Sequence, residues 1–165
     1  ETGHPFTGFL YVGLMIVDNE PYVIEFNVRM GDPETQVVIP RIKTSLYEIL
    51  DSCLNKKLKN INIDFETVSY CTVVLASDGY PEDYTTGQEI KGVEDIKDGY
   101  LFHAGTKKCN NNYFVSGGRV LNVVGEGENL QSAINKAYEN IKNIEFKGMY
   151  YRKDIGHKGL IKEKS

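Results

Sequence analysis

Between residues 22 and 36 the sequence changes its period, from the alternation of a strand to the punctuation of a helix start, and this switch limits the folds open to the chain. Successive side chains of a strand point to opposite faces, so Tyr22, Ile24, Phe26 and Val28 would share one face, and Val23, Glu25, Asn27 and Arg29 the other. Gly31-Asp32-Pro33 then breaks the alternation, with Asp32 suited to an N-cap and Pro33 to the first helical position. A carboxylate, an amide and a guanidinium are thereby placed on one sheet face beside a helix start.

That face suits a divalent cation and phosphate. Glu25 and Asn27 are hard oxygen donors of the kind Mg²⁺ takes when it also keeps waters and nucleotide phosphates, and Arg29 could fork onto a phosphate oxygen. The same pattern also describes the polar side of a half-buried antiparallel strand, and Asp32-Pro33 equally serves just to start a helix. The net charge of −4 and the pI near 5.4 oppose nucleic acid as the main partner. No stretch approaches the ~18 consecutive apolar residues of a membrane span, and no signal peptide is expected. Cys53, Cys71 and Cys109 are odd in number and widely spaced, which favours reduced thiols in a cytoplasmic protein over a disulfide framework or a zinc site. The chain opens at Glu1 rather than Met with a strand expected almost at once, so a piece of a longer protein is expected.

In chain order, residues 8–17 read as a strand with Gly13 at its middle, where a backbone or ligand could approach closely. Asp18-Asn19-Glu20 turns the chain, and residues 21–29 return as the second strand of a hairpin. A short helix is expected over residues 33–41, interrupted by Pro40. A second begins at Ser45, where Ser45 and Glu48 match a capping box and Leu46, Ile49, Leu50, Cys53 and Leu54 form an apolar stripe expected to be core. Residues 61–64 are ambiguous. Residues 68–76 read as a strand rich in β-branched residues, closed by the turn Ser77-Asp78-Gly79-Tyr80-Pro81. Shorter β pieces are expected at 100–106, 112–116 and 119–124, followed by a helix over 130–144 with Leu130, Ala133, Ile134, Ala137, Tyr138 and Ile141 on one face. The change of composition places a boundary near residues 65–70. The first part reads as the end of an α/β or α+β unit, and the second as a small α+β domain with a curled sheet.

Three further constellations each read two ways. Gly117-Gly118-Arg119 is a close-approach element with a phosphate-binding arginine, or a tight hairpin with a surface arginine. His103 lacks a second ligand at metal spacing and fits a satisfied structural histidine better than a ligand. Residues 151–156 form a recognition segment or a capping tail. Neither a nucleophile elbow nor a Walker-type glycine loop is present.

The run Glu25-Phe26-Asn27-x-Arg29-x-Gly31-Asp32-Pro33-Glu34-Thr35-Gln36 resembles the signature of the glycinamide ribonucleotide synthetase family, ATP-grasp ligases of purine synthesis. The resemblance continues through residues 11–15, 76–81 with Tyr84 and Gly87, 102–106, 117–121, Ala137-Tyr138 and 151–156. It covers only the C-terminal part of the family's chain. Implied is an α+β fold in which residues 1–66 form the C-terminal portion of the ATP-grasp catalytic domain. Residues 67–165 would then form a small mixed domain with a curled antiparallel sheet. Met30 departs from the family's usual Phe, a change that a flexible apolar side chain can absorb. As in the family, Phe9, Tyr11, Gly13 and Met15 provide no further metal carboxylate on the first strand.

The resemblance implies amide formation through an acyl phosphate, with ATP as co-substrate and Mg²⁺ or Mn²⁺ as the metal. Glu25 and Asn27 would hold the metal, and Arg29 would act on the transferring phosphate. Asp32 would take the glycine ammonium with Gly31 and Pro33 beside it, and Gly118 and Arg119 would meet the phosphate of 5-phosphoribosylamine. The N-terminal part of the same enzyme would complete the site, so this piece alone should not turn over substrate. Two other readings remain open: a non-catalytic binding or assembly module that keeps the fold, and an ATP-grasp ligase joining a different acid and amine.

Overall fold

A computed structural model describes residues 3–162, which fall into two compact units, Glu1–Glu66 and Thr67–Ser165. In the first, β1 (Tyr11–Val17) and β2 (Glu20–Asn27) form an antiparallel hairpin. The turn between them holds Asp18 and Asn19 at positive φ, a conformation that these short polar side chains tolerate better than other non-glycine residues do. The register slips by one residue beside Gly13: Gly13 pairs with Glu25 but Leu14 pairs with Val23, leaving Ile24 as the extra residue of a bulge. Simple alternation therefore does not carry through β2, and Val23 is not aligned with Glu25 as the sequence pattern predicts. Val28 and Arg29 lie in a bend past the strand end, so Arg29 leaves the sheet face assigned to it.

The first helix is shorter than expected. α1 covers only Thr35–Val38, with Glu34 and not Asp32 at its N-cap, and a 3₁₀ turn over Ile39–Arg41 follows. The carbonyl of Gly31 accepts both the Thr35 amide and the Thr35 hydroxyl, closing a turn before the helix begins. Pro40 lacks an N–H, and the α-helical ladder gives way there. α2 (Leu46–Leu54) starts after Ser45, but the Ser45 side chain makes no cap bond, so the capping box does not close. Its apolar stripe is not core either: Leu46, Ile49 and Cys53 are half-buried, and Leu54 is 73% exposed. A two-stranded sheet and short helices give this unit too few layers to enclose a core. The ambiguous residues 61–64 form no strand; just past them one bridge joins Ile42 to Phe65, flanked by bonds from Lys43 N–H to the Asp64 carbonyl and from Glu66 N–H to the Arg41 carbonyl.

In the second unit, β3 (Ser69–Ala76) is followed by β4 (Glu89–Ile90), β5 (Gly99–His103), β6 (Thr106–Cys109), β7 (Asn112–Val115) and β8 (Arg119–Gly127). They form two antiparallel three-stranded sheets, ordered β3-β8-β5 and β4-β7-β6. The stretch expected as one strand over 100–106 is broken at Ala104-Gly105, where the chain passes from one sheet to the other. At that crossing the Gly105 amide donates to the Arg119 carbonyl over 2.7 Å, and a Cβ on Gly105 would lie 2.7 Å from the Gly117 Cα. Only glycine admits so close an approach.

α3 (Leu130–Ile141) lies across the first of these sheets. Asn129 caps it, its side chain accepting the Ser132 amide over 2.9 Å. The apolar face buries Ala133, Ile134, Ala137 and Ile141, as the helical spacing requires. The strand beneath extends to Gly127 because Gly125 and Gly127 let the helix backbone come close; a Cβ on Gly125 would stand 2.1 Å from the Ala133 carbonyl oxygen. Val73, Leu75, Val120, Leu121 and Val123 complete a dry core with Phe146. Asn140 is also buried, on the same helix, and its amide exchanges two hydrogen bonds with the Lys97 backbone, at 2.7 and 3.1 Å. Residues 151–156 pack as a cap: the Tyr138 hydroxyl donates to the Arg152 carbonyl and accepts the Ile155 amide, and Gly156 sits against Ile134. α4 (His157–Lys162) follows.

Candidate functional site

In the first unit the hairpin register brings the expected metal donors together. Asn27 pairs with Tyr11 and Glu25 with Gly13, and directly opposed residues share a face, so the carboxylate and the amide project from the same side of the hairpin. Gly13 is small for a reason visible here: a Cβ on it would lie 3.0 Å from Glu25 Cγ and 3.6 Å from the Tyr11 ring. The close approach expected at Gly13 comes from the side chain of Glu25.

Tyr11 links this face to the turn before α1. Its hydroxyl donates to Glu34 Oε1 at 3.4 Å, a long bond, and its ring and the Glu34 carboxylate lie over Gly31, where any Cβ would meet both. Gly31 is buried. The charge of Glu34 is the largest cause raising the Tyr11 pKa, with Glu25 adding to it and Arg29 opposing it. The phenol is thus held protonated, as a donor. Arg29 turns its guanidinium onto the Met30 carbonyl at 2.9 Å. Beside it, Phe9, Tyr11, Arg29, Met30 and Glu34 line a cleft of about 310 Å³. Asp32 is exposed and joined to half-buried Pro33 by a cis peptide bond.

Among the described residues no cluster of three or more His, Cys, Asp or Glu side chains stands at metal-holding distance. Glu25 and Asn27 offer two hard oxygens on one face, a partial set that fits a magnesium-type ion whose remaining shell is phosphate and water. They fit no structural zinc site, which needs four soft or imidazole ligands.

Gly118 and Arg119 lie in the second unit, at the start of β8, and are described there by themselves. Arg119 Nε–H donates to the Tyr80 hydroxyl at 2.8 Å, and its guanidinium carbon stands 5.8 Å from the Tyr80 ring centroid. Gly118 is buried beneath the same ring; a Cβ there would come within 2.2 Å of it. Ser77 binds the loop from the other side, its amide donating to the Gly118 carbonyl and its hydroxyl to the Gly117 carbonyl. His103 stacks on Tyr113 at 4.5 Å, with Nδ1 2.9 Å from Thr106 Oγ1, and burial lowers its pKa. It is a satisfied neutral histidine.

The sequence reading missed Tyr11, Glu34 and Tyr80 as site neighbours. Glu34 stands inside the signature run, and its spacing from Gly31 is the one available signal. Tyr11 and Tyr80 fall within stretches that carry the resemblance, but nothing local shows what they touch, because each acts on a residue far along the chain.

The family described as "Phosphoribosylglycinamide synthetase, C domain" matches residues 70–158, and "Phosphoribosylglycinamide synthetase, ATP-grasp (A) domain" matches residues 1–35. A phosphoribosylamine–glycine ligase of Fusobacterium nucleatum is 48% identical over 155 residues, covering 92% of this chain and 36% of the relative. The trifunctional purine biosynthetic protein adenosine-3 of Homo sapiens is 44% identical over 163 residues, covering 97% of this chain and 16% of the relative. The crystal structure of a phosphoribosylamine–glycine ligase from Thermotoga maritima superposes with a TM-score of 0.70 at 34% identity, covering 88% of this chain and 36% of that one. The chain thus spans little more than a third of the bacterial relatives it matches. With an α+β fold and a C-domain match over more than half its length, the chain belongs to the phosphoribosylglycinamide synthetase family.

Proposed function

We propose that the chain is the metal-holding and C-terminal part of an ATP-dependent ligase that joins glycine to 5-phosphoribosylamine, giving glycinamide ribonucleotide, ADP and phosphate. The γ-phosphate of ATP passes to the glycine carboxylate, and the amine of phosphoribosylamine displaces it to form the amide. The observation that carries this reading is the pairing of Glu25 and Asn27 on one hairpin face over Gly13, within the signature run of a family member. Residues 1–66 would belong to the ATP-grasp catalytic domain and residues 67–165 to the C-terminal domain.

Mg²⁺ or Mn²⁺ held by Glu25 and Asn27 would neutralise and align phosphate oxygens during transfer. Arg29 would exchange the Met30 carbonyl for a phosphate oxygen, a stronger charge-assisted partner. Asp32 would take the glycine ammonium, with Gly31 and Pro33 shaping the turn around it. Arg119 would hold the phosphate of phosphoribosylamine, and Gly118 would keep the backbone there close. The N-terminal part of the same enzyme would bind the rest of ATP, so the piece alone would be inactive. A cytoplasmic setting fits the three free cysteines. No helix among the described residues is long and apolar enough to cross a membrane, and the acidic balance gives nucleic acid no footprint.

The test uses the longer parent enzyme and measures ADP release that depends on both glycine and phosphoribosylamine, in wild type and in Glu25→Gln. A fall of more than about a hundredfold, roughly 2.7 kcal/mol of barrier, is expected. Unchanged turnover would remove Glu25 from the metal site. A folded wild type without substrate-dependent turnover would instead favour the non-catalytic binding module.

A further inference from the structure

We infer that Tyr80 is a positioning residue for Arg119, holding one edge of the guanidinium that receives the phosphate of 5-phosphoribosylamine; the inference rests on the proposed role of Arg119. An arginine side chain has four rotatable bonds before its planar head, and ordering it on an anion is costly unless something else has already fixed it. Two contacts do this here. The Tyr80 hydroxyl takes the Nε–H at 2.8 Å, and the ring lies 5.8 Å from the guanidinium carbon. The hydrogen bond fixes one edge of the guanidinium, and the ring stands beside it at the distance of a weak cation–π contact.

The surroundings hold the tyrosine in turn. Its ring rests on buried Gly118, the residue just before the arginine, where any Cβ would strike it. The turn that carries Tyr80 is tied to the same loop through Ser77, whose amide and hydroxyl bind the Gly118 and Gly117 carbonyls at 2.8 and 2.9 Å. The Tyr80 amide closes that turn onto the Ser77 carbonyl. Tyrosine, glycine and arginine therefore form one unit, although 39 residues separate Tyr80 from Arg119. A bidentate phosphate contact requires such a fixed fork, which a lysine would not supply.

The experiment compares wild type, Tyr80→Phe, Arg119→Ala and the double variant of the complete ligase, with KM measured for phosphoribosylamine, glycine and ATP. Tyr80→Phe keeps the ring on Gly118, so the fold is retained, and unchanged thermal melting of each variant confirms it. The expected result is a rise of about fivefold in the phosphoribosylamine KM, the scale of one net hydrogen bond, with the other two KM values within about twofold. In the Arg119→Ala background the same change should have no further effect, because the group it orients is gone. An unchanged phosphoribosylamine KM in Tyr80→Phe, beside a clear rise in Arg119→Ala, overturns the positioning role and leaves the phosphate reading standing. Equal effects of Tyr80→Phe in both backgrounds also overturn it, since they make the hydroxyl independent of Arg119. No rise in Arg119→Ala overturns the phosphate reading itself, and the role of Tyr80 falls with it.

Discussion

Glycines at 13, 31 and 118 each admit a neighbouring side chain: Glu25, then Tyr11 with Glu34, then the Tyr80 ring. Their substitution should separate by what stands in the way. The Glu25 Cγ at 3.0 Å from a new Cβ belongs to a flexible side chain, whereas the Tyr80 ring at 2.2 Å is seated on the loop. Gly13→Ala is therefore expected to lower activity of the parent enzyme by moving the carboxylate, with little change in melting temperature. Gly118→Ala should lower the melting temperature as well, and parallel melting and activity measurements check both. Thiol chemistry reads the residue scale independently. Cys109 is exposed, whereas Cys71 is buried, and burial pushes its thiol up to about 11. Near pH 8 iodoacetamide should label Cys109 quickly and Cys71 only after unfolding. Because the folded state keeps that proton longer than the unfolded chain, the linked stability is present below about pH 9 and lost as pH rises towards 11.

At the scale of elements, α3 tests how the second unit is held. Asn129→Ala should destabilise by about 1 kcal/mol through loss of the N-cap, measured by urea unfolding. Asn140→Ala removes two hydrogen bonds that the buried Asn140 side chain exchanges with the Lys97 backbone and should cost about 1–3 kcal/mol. What the sequence discloses also varies by element. The apolar face of α3 is local information at helical spacing, and its burial follows from the residues themselves. The signature run is equally local, so the shared face of Glu25 and Asn27 was legible before any coordinates. The bulge beside Gly13 was not, because register depends on which residue of the other strand is opposed. Nor was the break at Gly105, set by a glycine twelve residues on, nor the late start of the helix expected at Asp32-Pro33, where Gly31 and Thr35 first close their own turn.

Across the molecule, burial is unevenly divided. Every hydrophobic side chain of the dry core lies at or beyond Cys71, whereas Leu14, Ile16, Ile24, Phe26 and Val28 on the hairpin are each at least half exposed. An apolar surface of that kind is typical of an element meant to be covered. Residues 67–165 expressed alone should therefore unfold cooperatively, and residues 1–66 alone should show no sharp transition; thermal melting followed by circular dichroism distinguishes them. Within the cooperative unit, the crossing of the two sheets bears on variation. A side chain on Gly105 would run into Gly117, and one on Gly117 would stand 3.0 Å from the Gly105 Cα. Both obstacles are backbone atoms, which no substitution at the other position would remove, so a lineage that keeps this crossing is expected to keep each glycine for itself, and Gly105 more strictly than Gly117.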